Sequence, residues 1–261
     1  MSNTAIYDDW APIYDVWATT APITKRNLPF YVERLVAAEG PAVELGVGNG
    51  RIAIQAALQG ADVVGVDASS VMLSLCRQRA RDAGVGTKVN LLKADFRDFE
   101  LAEPASLVVV PFHSIGHMLT LDDKRACLAH VFDQLKPGGR LVFDHFVFDE
   151  SHARQMDGLT RLRAEYVDPD TAKDSLLWVT VRFDFREQLM HILAISEEVD
   201  PLGHTGARRA RRMDFSWVTP DQAQALLREA GFEIESQWGC FDETPFGPDS
   251  TEQIYSALKP A

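Results

Sequence analysis

The sequence has few cysteines and lacks long apolar runs. Cys76, Cys127 and Cys240 are odd in number, lie far apart and form no CxxC pair. This spacing argues against a disulfide framework and a zinc site, and it predicts a reducing compartment. No stretch of about 18 uninterrupted apolar residues exists, so we expect no membrane-spanning helix.

Positive charge is also scarce. Lys and Arg number 26 against 38 Asp and Glu, which gives a formal net charge of -12. Nucleic-acid binding depends on Lys and Arg at phosphates, and an acidic chain repels a polyanion, so we expect no nucleic-acid partner. Residues 1–10 lack the basic-then-apolar order of a secretory signal, which predicts a cytoplasmic location without a membrane partner.

The periodicity of apolar residues predicts an α/β fold. The chain has 261 residues, of which 46% are apolar, and this suits one large domain or one domain with an insertion. Strand and helix patterns alternate through the first 150 residues, which indicates a parallel sheet with helices on both faces and ligand-binding loops along one edge. The predicted strands are 41–45, 62–66, 88–92, 106–110 and 140–146, and the predicted helices are 49–59, 69–83 and 121–135.

A different pattern follows residue 159. Apolar and polar side chains alternate over 177–185, and the run 189–199 can pair with it, which predicts a small antiparallel sheet inserted after the fifth strand. A helix over 220–230 and two closing strands complete the chain. The predicted parts are an N-terminal helical segment (1–30), a core (31–150 and 216–261) and the insertion (151–215).

The segment 42–51 reads AVELGVGNGR, a strand followed by a glycine turn and the start of a helix. Glycine permits positive φ and leaves bare backbone for a ligand, which the free amides of the next helix also face. The dinucleotide pattern GxGxxG fails because its third position, counted from Gly46, is Arg51. An acid at the strand end, Glu44, suits a ligand with sulfonium and ammonium groups. An ordinary tight turn beside a buried Glu is the alternative.

Acids also follow the second and third predicted strands. Asp67 comes about 20 residues after the glycines, where a carboxylate can accept both hydroxyls of a ribose. Its alternative role is to help start the helix at Ser69. Asp95 can accept the exocyclic amine of adenine, and Phe96 beside it can offer a backbone amide.

These segments, together with LKPGGRLV at 135–142, resemble the class I S-adenosylmethionine-dependent methyltransferases over residues 7–146 and the closing strands. The resemblance implies a Rossmann-like seven-stranded sheet ending in an antiparallel hairpin, with the inserted sheet as a β lid. It implies S-adenosylmethionine as cofactor and S-adenosylhomocysteine as product. The glycines are expected to hold the methionyl part, Asp67 the ribose, and Asp95 the adenine amine. The expected cofactor site comprises Tyr14, Arg26, Glu44, Gly46, Gly48, Gly50, Asp67, Ala68, Met72, Asp95, Phe96 and Pro111.

The N-terminal segment YDDWAPIYD spaces its aromatic residues three, four and seven apart. Such spacing can simply cover the apolar face of a helix. The pattern YDxxAxxYD also resembles the N-terminal lid of small-molecule methyltransferases, whose tyrosines close over the sulfonium. On that resemblance we favour Tyr14 over Tyr7 for this role, and we expect Lys25 or Arg26 to reach the cofactor carboxylate.

Three histidines follow the fourth and fifth predicted strands. His113 is the preferred candidate for a polar contact with cofactor or acceptor, and His117 lies four residues later. The alternative to a functional role for His117 is packing at the start of a helix. For His145 the alternative is a hydrogen-bonded position at the end of a strand. No HExxH or CxxC accompanies the pair, so we expect no metal. The predicted catalytic residues are His113, Tyr14 and His145.

The predicted function is methyl transfer to an amine nitrogen of a small molecule or peptide natural product. An O-methyltransferase acting on a hydroxyl or carboxyl group, an NAD(P)-dependent oxidoreductase and a non-catalytic cofactor-binding protein are the alternatives. A homodimer or higher homo-oligomer stays open. The arginines at 208, 209, 211 and 212 are interpreted as a solvated strand that pairs with Glu197 or Glu198, in preference to a site for an anionic acceptor.

Overall fold

The computed structural model describes residues 4–261, so the first three residues of the predicted N-terminal segment 1–30 lie outside the described residues. The strands are β1 (Ala42–Leu45), β2 (Val63–Asp67), β3 (Val89–Lys93), β4 (Ala105–Val110), β5 (Leu135–Phe146), β6 (Thr160–Val167), β7 (Asp174–Asp184), β8 (Leu189–Val199), β9 (Thr205–Ser216), β10 (Glu233–Trp238) and β11 (Glu252–Leu258). The α-helices are α1 (Thr4–Trp10), α2 (Tyr14–Thr19), α3 (Ile23–Val36), α4 (Ala53–Leu58), α5 (Ser70–Asp82), α6 (Leu121–Gln134), α7 (Glu150–Met156) and α8 (Pro220–Glu229).

The strands form two sheets. One has seven strands in the order β3-β2-β1-β4-β5-β11-β10, and the other has four antiparallel strands in the order β6-β7-β8-β9. Strands β1 to β5 pair in parallel, whereas β11 runs antiparallel to both β5 and β10. The predicted fold class is confirmed. The strand order reverses between β1 and β4, and open α/β sheets bind ligands in the crevice outside such a point.

Apolar side chains fill both faces of the seven-stranded sheet. A third apolar cluster joins the N-terminal helices to the four-stranded sheet, and in it Trp10 and Ile13 pack with Leu177 and Met213. Trp10 is 1% exposed. Truncating a buried Trp to Ala typically lowers the free energy of unfolding by about 3–5 kcal/mol. The burial of Trp10 therefore contributes strongly to holding the N-terminal helices against the four-stranded sheet.

Several element boundaries differ from the sequence-based expectation. Helix α4 begins at Ala53 instead of residue 49, because Gly50 adopts φ +87 and prolongs the turn. Strand β5 begins at Leu135, where Gly138 and Gly139 pair with the backbone of Lys259. Helix α7 was not predicted; the Asp149 side chain caps it by accepting the His152 amide. The predicted segment boundary at residue 30 falls inside α3.

Acidic side chains attach the N-terminal helix α1 to the start of α5 and to β9. Asp8 accepts the Ser69 hydroxyl at 2.6 Å, and Asp9 receives Arg209 on β9 at 2.6 Å. The Arg211 Nε donates to the Asp9 carbonyl at 2.7 Å. Arg208, Arg209 and Arg212 are exposed as interpreted, but Arg209 pairs with Asp9 and not with Glu197 or Glu198. The interpretation is wrong for Arg211, which is buried against the N-terminal helix.

Among residues 4–261, no helix is both long and apolar enough to cross a lipid bilayer.

Candidate active site

A cavity of about 420 Å³ opens at the carboxyl ends of the parallel strands. One part of its wall comes from the loops of the seven-stranded sheet, and the other from the N-terminal helices and the four-stranded sheet. The loop side includes Gly46, Gly48, Asp67, Ala68, Ser69, Met72, Asp95, Phe96, Arg97, Phe112, His113, Ser114, His117 and, at the end of β5, Phe146. The lid side includes Tyr7, Tyr14, Trp17, Arg163, Met190, Ile192, Met213 and Phe215.

The glycine turn presents bare backbone to this cavity. Gly46 and Gly48 have φ +73 and +54 and both line the wall. A Cβ at Gly46 would lie 3.1 Å from the Ser114 Oγ and 3.2 Å from the Phe96 ring. Gly50 is different: its Cβ would lie 2.6 Å from the Cys76 sulfur, so it faces α5 behind the turn. The backbone at 46 and 48 is thus the part open to a ligand.

Asp67 braces this turn from the end of β2. Its Oδ2 accepts the Gly48 amide at 2.9 Å, and its Oδ1 accepts the Ser69 amide at 2.8 Å. Burial raises the pKa of the carboxyl, and the two amides oppose that rise. The side chain lies both on the cavity wall and at the start of α5. It is therefore placed for a ligand contact and for starting the helix at the same time.

Glu44 lies beneath the turn and not on the cavity wall. It is 3% exposed, and its Oε2 has no hydrogen-bond partner among the described residues. Burial raises the pKa of Glu44 to about 8, although the charge of Arg51 opposes this. The Ala53 amide bonds this carboxyl, so Oε2 alone lacks a partner, and a cationic group above it would lower the raised pKa.

Asp95 is held by a neighbour that the sequence did not reveal. Arg97 donates from Nε to Asp95 Oδ1 at 2.7 Å and from a terminal nitrogen to Oδ2 at 2.9 Å, and it also binds Asp123. Burial raises the pKa of Asp95, but the bonds and charge of Arg97 outweigh it and the pKa is lowered. Asp95 therefore stays ionised, and a ligand amine would share it with Arg97.

His113 lies in a strained loop held by Asp144 of β5. Phe112 and His113 have φ +60 and +59, which is uncommon for residues with side chains. Their amides donate to Asp144 Oδ1 and Oδ2 at 3.0 Å each, and Tyr31 donates its hydroxyl to the same carboxylate. Asp144 is fully buried, and this one carboxylate accepts all three of these hydrogen bonds.

The His113 ring is already bonded. Its Nε2 lies 2.8 Å from Glu252 Oε2 and 3.5 Å from Asp144 Oδ2. Burial lowers the pKa of His113, but the Glu252 bond and both carboxylates outweigh it, so the pKa is raised. The three side chains bring their ligand-type atoms within 4.8 Å of one another. They already bond to one another and to backbone amides, and the absence of a metal stays a prediction.

Tyr7 of α1 and His117 of the loop after β4 form a second pair across the cavity. The Tyr7 hydroxyl lies 2.6 Å from His117 Nε2, with the ring centroids 5.0 Å apart. Burial lowers the pKa of His117 to about 4, and the charge of Lys124 adds to this effect. Tyr14 lies over the glycine turn, where its hydroxyl is 3.5 Å from the Cβ position of Gly48. The structure thus separates the tyrosines: Tyr14 faces the turn, and Tyr7 faces His117.

Comparison with known proteins agrees with this geometry. Residues 42–139 match the family model of a methyltransferase domain. The protein is a methyltransferase, and its fold is that of the class I methyltransferases. A putative methyltransferase, YqeM of Bacillus subtilis, is 29% identical and is covered over 97% of both chains. The CcbJ methyltransferase of Streptomyces caelestis has the same fold, with TM-score 0.80, 23% identity and coverage of 97% and 96%. The sugar N-methyltransferase KedS8 of Streptoalloteichus matches with TM-score 0.70, 17% identity and coverage of 95% and 93%.

The residues of the methyltransferase fit S-adenosylmethionine, the cofactor of this fold class. Gly46 and Gly48 leave backbone that a Cβ would obstruct, and Asp67 presents a carboxylate beside them. The unpartnered Oε2 of Glu44 lies beneath the turn, as suits a cofactor with sulfonium and ammonium groups. The roles of Ala68, Met72 and Phe96, which line the wall, stay predictions.

Some expected site residues of the methyltransferase lie away from the cavity wall. His145 is fully buried beside His113 and Phe146, and neither ring nitrogen has a partner among the described residues. Arg26 is exposed on α3 and contacts the Cys240 sulfur at 3.6 Å. Pro111 is buried and its carbonyl accepts the Ser114 hydroxyl. Pro111, Arg26 and His145 are thus not placed to touch a ligand in this cavity.

We expect His145→Leu to leave turnover largely unchanged and to make the methyltransferase less sensitive to acid. Burial lowers the pKa of His145 well below 6.5, so only the unfolded chain takes up this proton as the pH falls. The stability contribution is complete above about pH 6.5, and about 2 kcal/mol is lost between pH 7 and 5. Urea unfolding at both pH values measures this, with His152→Leu on the exposed face of α7 as control. An unchanged pH dependence would contradict the expectation.

Proposed function

We propose that this methyltransferase transfers the methyl group of S-adenosylmethionine to an amine nitrogen of a small molecule or peptide. The observation that carries the proposal is that both histidines of the cavity wall are already bonded. Among the described residues, His117 has a pKa of about 4 and is bonded to Tyr7. His113 on the same loop has a raised pKa, but its Nε2 is bonded to Glu252.

The acceptor atom determines whether a base is needed. A neutral amine attacks with its lone pair and leaves as an ammonium, so no side chain has to take its proton. A hydroxyl would become an oxonium and needs a base at or before transfer. A base of pKa about 4 scarcely deprotonates a hydroxyl, so the pair formed by Tyr7 and His117 suits an amine acceptor.

Catalysis then depends on position. The cofactor supplies a methyl group on a positively charged sulfur, which is reactive without further activation. Gly46 and Gly48 would hold the methionyl part, and Asp67 the ribose. Tyr14 covers the turn, and Tyr7 and His117 are uncharged polar groups that can orient an amine. Holding reactants in line accounts for a large share of such a rate enhancement.

The comparisons support an amine acceptor by analogy. A sugar N-methyltransferase has this fold, and so does a glycopeptide N-methyltransferase with TM-score 0.56. A cytoplasmic location, a small-molecule or peptide partner and self-association stay predictions from the sequence.

The proposal is tested by incubating the protein with S-adenosylmethionine and matched pairs of amines and alcohols, followed by mass spectrometry of the products. We expect N-methyl products, with kcat/KM rising with pH as the amine loses its proton. Exclusive O-methylation would overturn the choice of nitrogen. Cofactor binding without any product would indicate a binding protein, and binding of a nicotinamide dinucleotide instead would exclude methyl transfer.

Tyr7→Phe is expected to lower kcat by roughly five- to tenfold, because a bond that orients His117 contributes about 1 kcal/mol. The affinity for S-adenosylmethionine should stay unchanged, since Tyr7 faces His117 and not the glycine turn. Steady-state kinetics and calorimetry measure the two quantities, and Tyr166→Phe on β6 is the control. Equal kcat in Tyr7→Phe and wild type would remove Tyr7 from the reaction.

A further inference from the structure

Arg163 is a cationic side chain on the lid side of the cavity. It projects from β6, is half-buried and lines the wall. Its Nε donates to the Thr20 hydroxyl at 3.1 Å, and its guanidinium carbon lies 5.3 Å from the Trp17 ring centroid. These two contacts with the end of α2 fix the guanidinium beside the cavity.

The charge of Arg163 is not compensated by a carboxylate. None of the ion pairs among the described residues includes it, whereas Arg97, the other arginine of the wall, lies between Asp95 and Asp123. An arginine has five N–H donors and stays charged in proteins, and here only Nε has a partner among the described residues. Burial lowers the pKa of Arg163, with no carboxylate to oppose it. A partly buried cation of this kind is stabilised by an anion from outside the chain.

The lid side of the cavity that Arg163 lines is otherwise largely apolar. The four-stranded sheet contributes Met190, Ile192, Met213 and Phe215 to the cavity, and α2 contributes Trp17. Ligand sites of this composition bind an apolar body and use a few polar groups to orient it. Two flexible methionines allow the wall to adapt to the shape of that body.

We propose that Arg163 binds a single carboxylate of the methyl acceptor, so that the acceptor is an apolar amino acid or peptide that carries both an amine and a free carboxylate. This proposal rests on the proposed function. A guanidinium fork matches one carboxylate in two parallel hydrogen bonds. A phosphate carries up to about two charges at neutral pH, and a diphosphate carries more. The other arginine of the cavity, Arg97 on the loop side, is already neutralised by two aspartates.

A structural role for Arg163, in which it only ties β6 to Thr20, makes a different prediction. Loss of that tie would weaken acids and their neutral analogues equally. Loss of a carboxylate site would weaken the acids alone. The comparison of matched ligands in matched variants therefore distinguishes the two roles.

The test uses the full chain and a panel of apolar amino acids and dipeptides, each as free acid and as C-terminal amide. Binding is measured by calorimetry and by tryptophan fluorescence, with Trp17→Phe identifying the signal beside Arg163. The variants are Arg163→Met, Arg163→Lys and, as control, Arg161→Met on the exposed part of the same strand. Phenyl phosphate is titrated as a phosphate probe.

We expect at least one acid to bind wild type about tenfold more tightly than its amide, as a charge-assisted bond implies. This preference should vanish in Arg163→Met, persist in part in Arg163→Lys and be intact in Arg161→Met. No acid preference across the panel, a preference that survives in Arg163→Met, or Arg163-dependent binding of phenyl phosphate alone would overturn the proposal.

The same panel is assayed for methyl transfer, so that the two proposals fail separately. Neutral amines methylated as well as acids would overturn the carboxylate site and leave the amine acceptor standing. Acids that bind through Arg163 but receive no methyl group on nitrogen would overturn the proposed function and leave the carboxylate site standing.

Discussion

Asp67→Ala is expected to weaken the binding of S-adenosylmethionine by roughly ten- to hundredfold. Asp67 accepts the Gly48 amide at 2.9 Å and the Ser69 amide at 2.8 Å, and it presents the carboxylate assigned to the ribose. Each hydrogen bond to a charged group contributes about 1.5–3 kcal/mol, and about 1.4 kcal/mol corresponds to tenfold in affinity. The variant loses the brace on the glycine turn together with the carboxylate that we propose accepts the ribose hydroxyls.

Calorimetric titration of the cofactor measures this loss. Asp62→Ala is the matched control, because this acid precedes the same strand, is exposed and pairs only with Lys88 at 3.8 Å. Asp67→Asn separates the two contributions, because the amide keeps the size of the side chain and loses its charge. An Asp67→Ala affinity equal to that of wild type would remove Asp67 from the cofactor site.

Asp144→Ala is expected to lower the free energy of unfolding by about 3–5 kcal/mol, the cost of leaving buried polar partners unpaired. The carboxylate is fully buried and accepts the Tyr31 hydroxyl and the amides of Phe112 and His113. Without it, two left-handed residues lose the bonds that hold them, so His113 leaves its position beside Glu252. Turnover should fall with stability.

Urea unfolding of the variants measures this effect. Tyr31→Phe removes one of the three donors and should cost about 1 kcal/mol. Asp133→Ala, an exposed acid on α6, should cost almost nothing. A loss in Asp144→Ala no larger than that in Tyr31→Phe would show that the strained loop holds without the carboxylate.

Local sequence patterns were sufficient to predict the sheet and part of the loop side of the cavity. The strand from Ala42 and the helix capped by Ser69 each depend on neighbours a few residues away. Gly46, Gly48 and Asp67 follow from them, because parallel strands bring their carboxyl ends to one edge. The spacing of the motif did not predict that Gly50 faces away from the cavity, because its packing on Cys76 depends on where α5 lies.

The lid side was not predictable in the same way. Tyr7 meets His117 across 110 residues, and Arg163 meets Thr20 across 143 residues. The bond from Tyr31 to Asp144 spans 113 residues and depends on the contact of α3 with β5. Nothing in local periodicity fixes such pairs, because they depend on how the inserted sheet and the N-terminal helices pack together. For the same reason the burial of Arg211 against the N-terminal helix was not predicted.

The cavity lies between two separate hydrogen-bonded sheets, and this division affects how the protein can diversify. The backbone ladder of β6 to β9 is independent of the ladder that carries the glycine turn. Substitutions at Met190, Ile192 and Met213 are therefore expected to change the acceptor specificity without disturbing the glycine turn. A gene duplicate can acquire a new specificity through a handful of changes in one sheet and keep the inherited chemistry of the other.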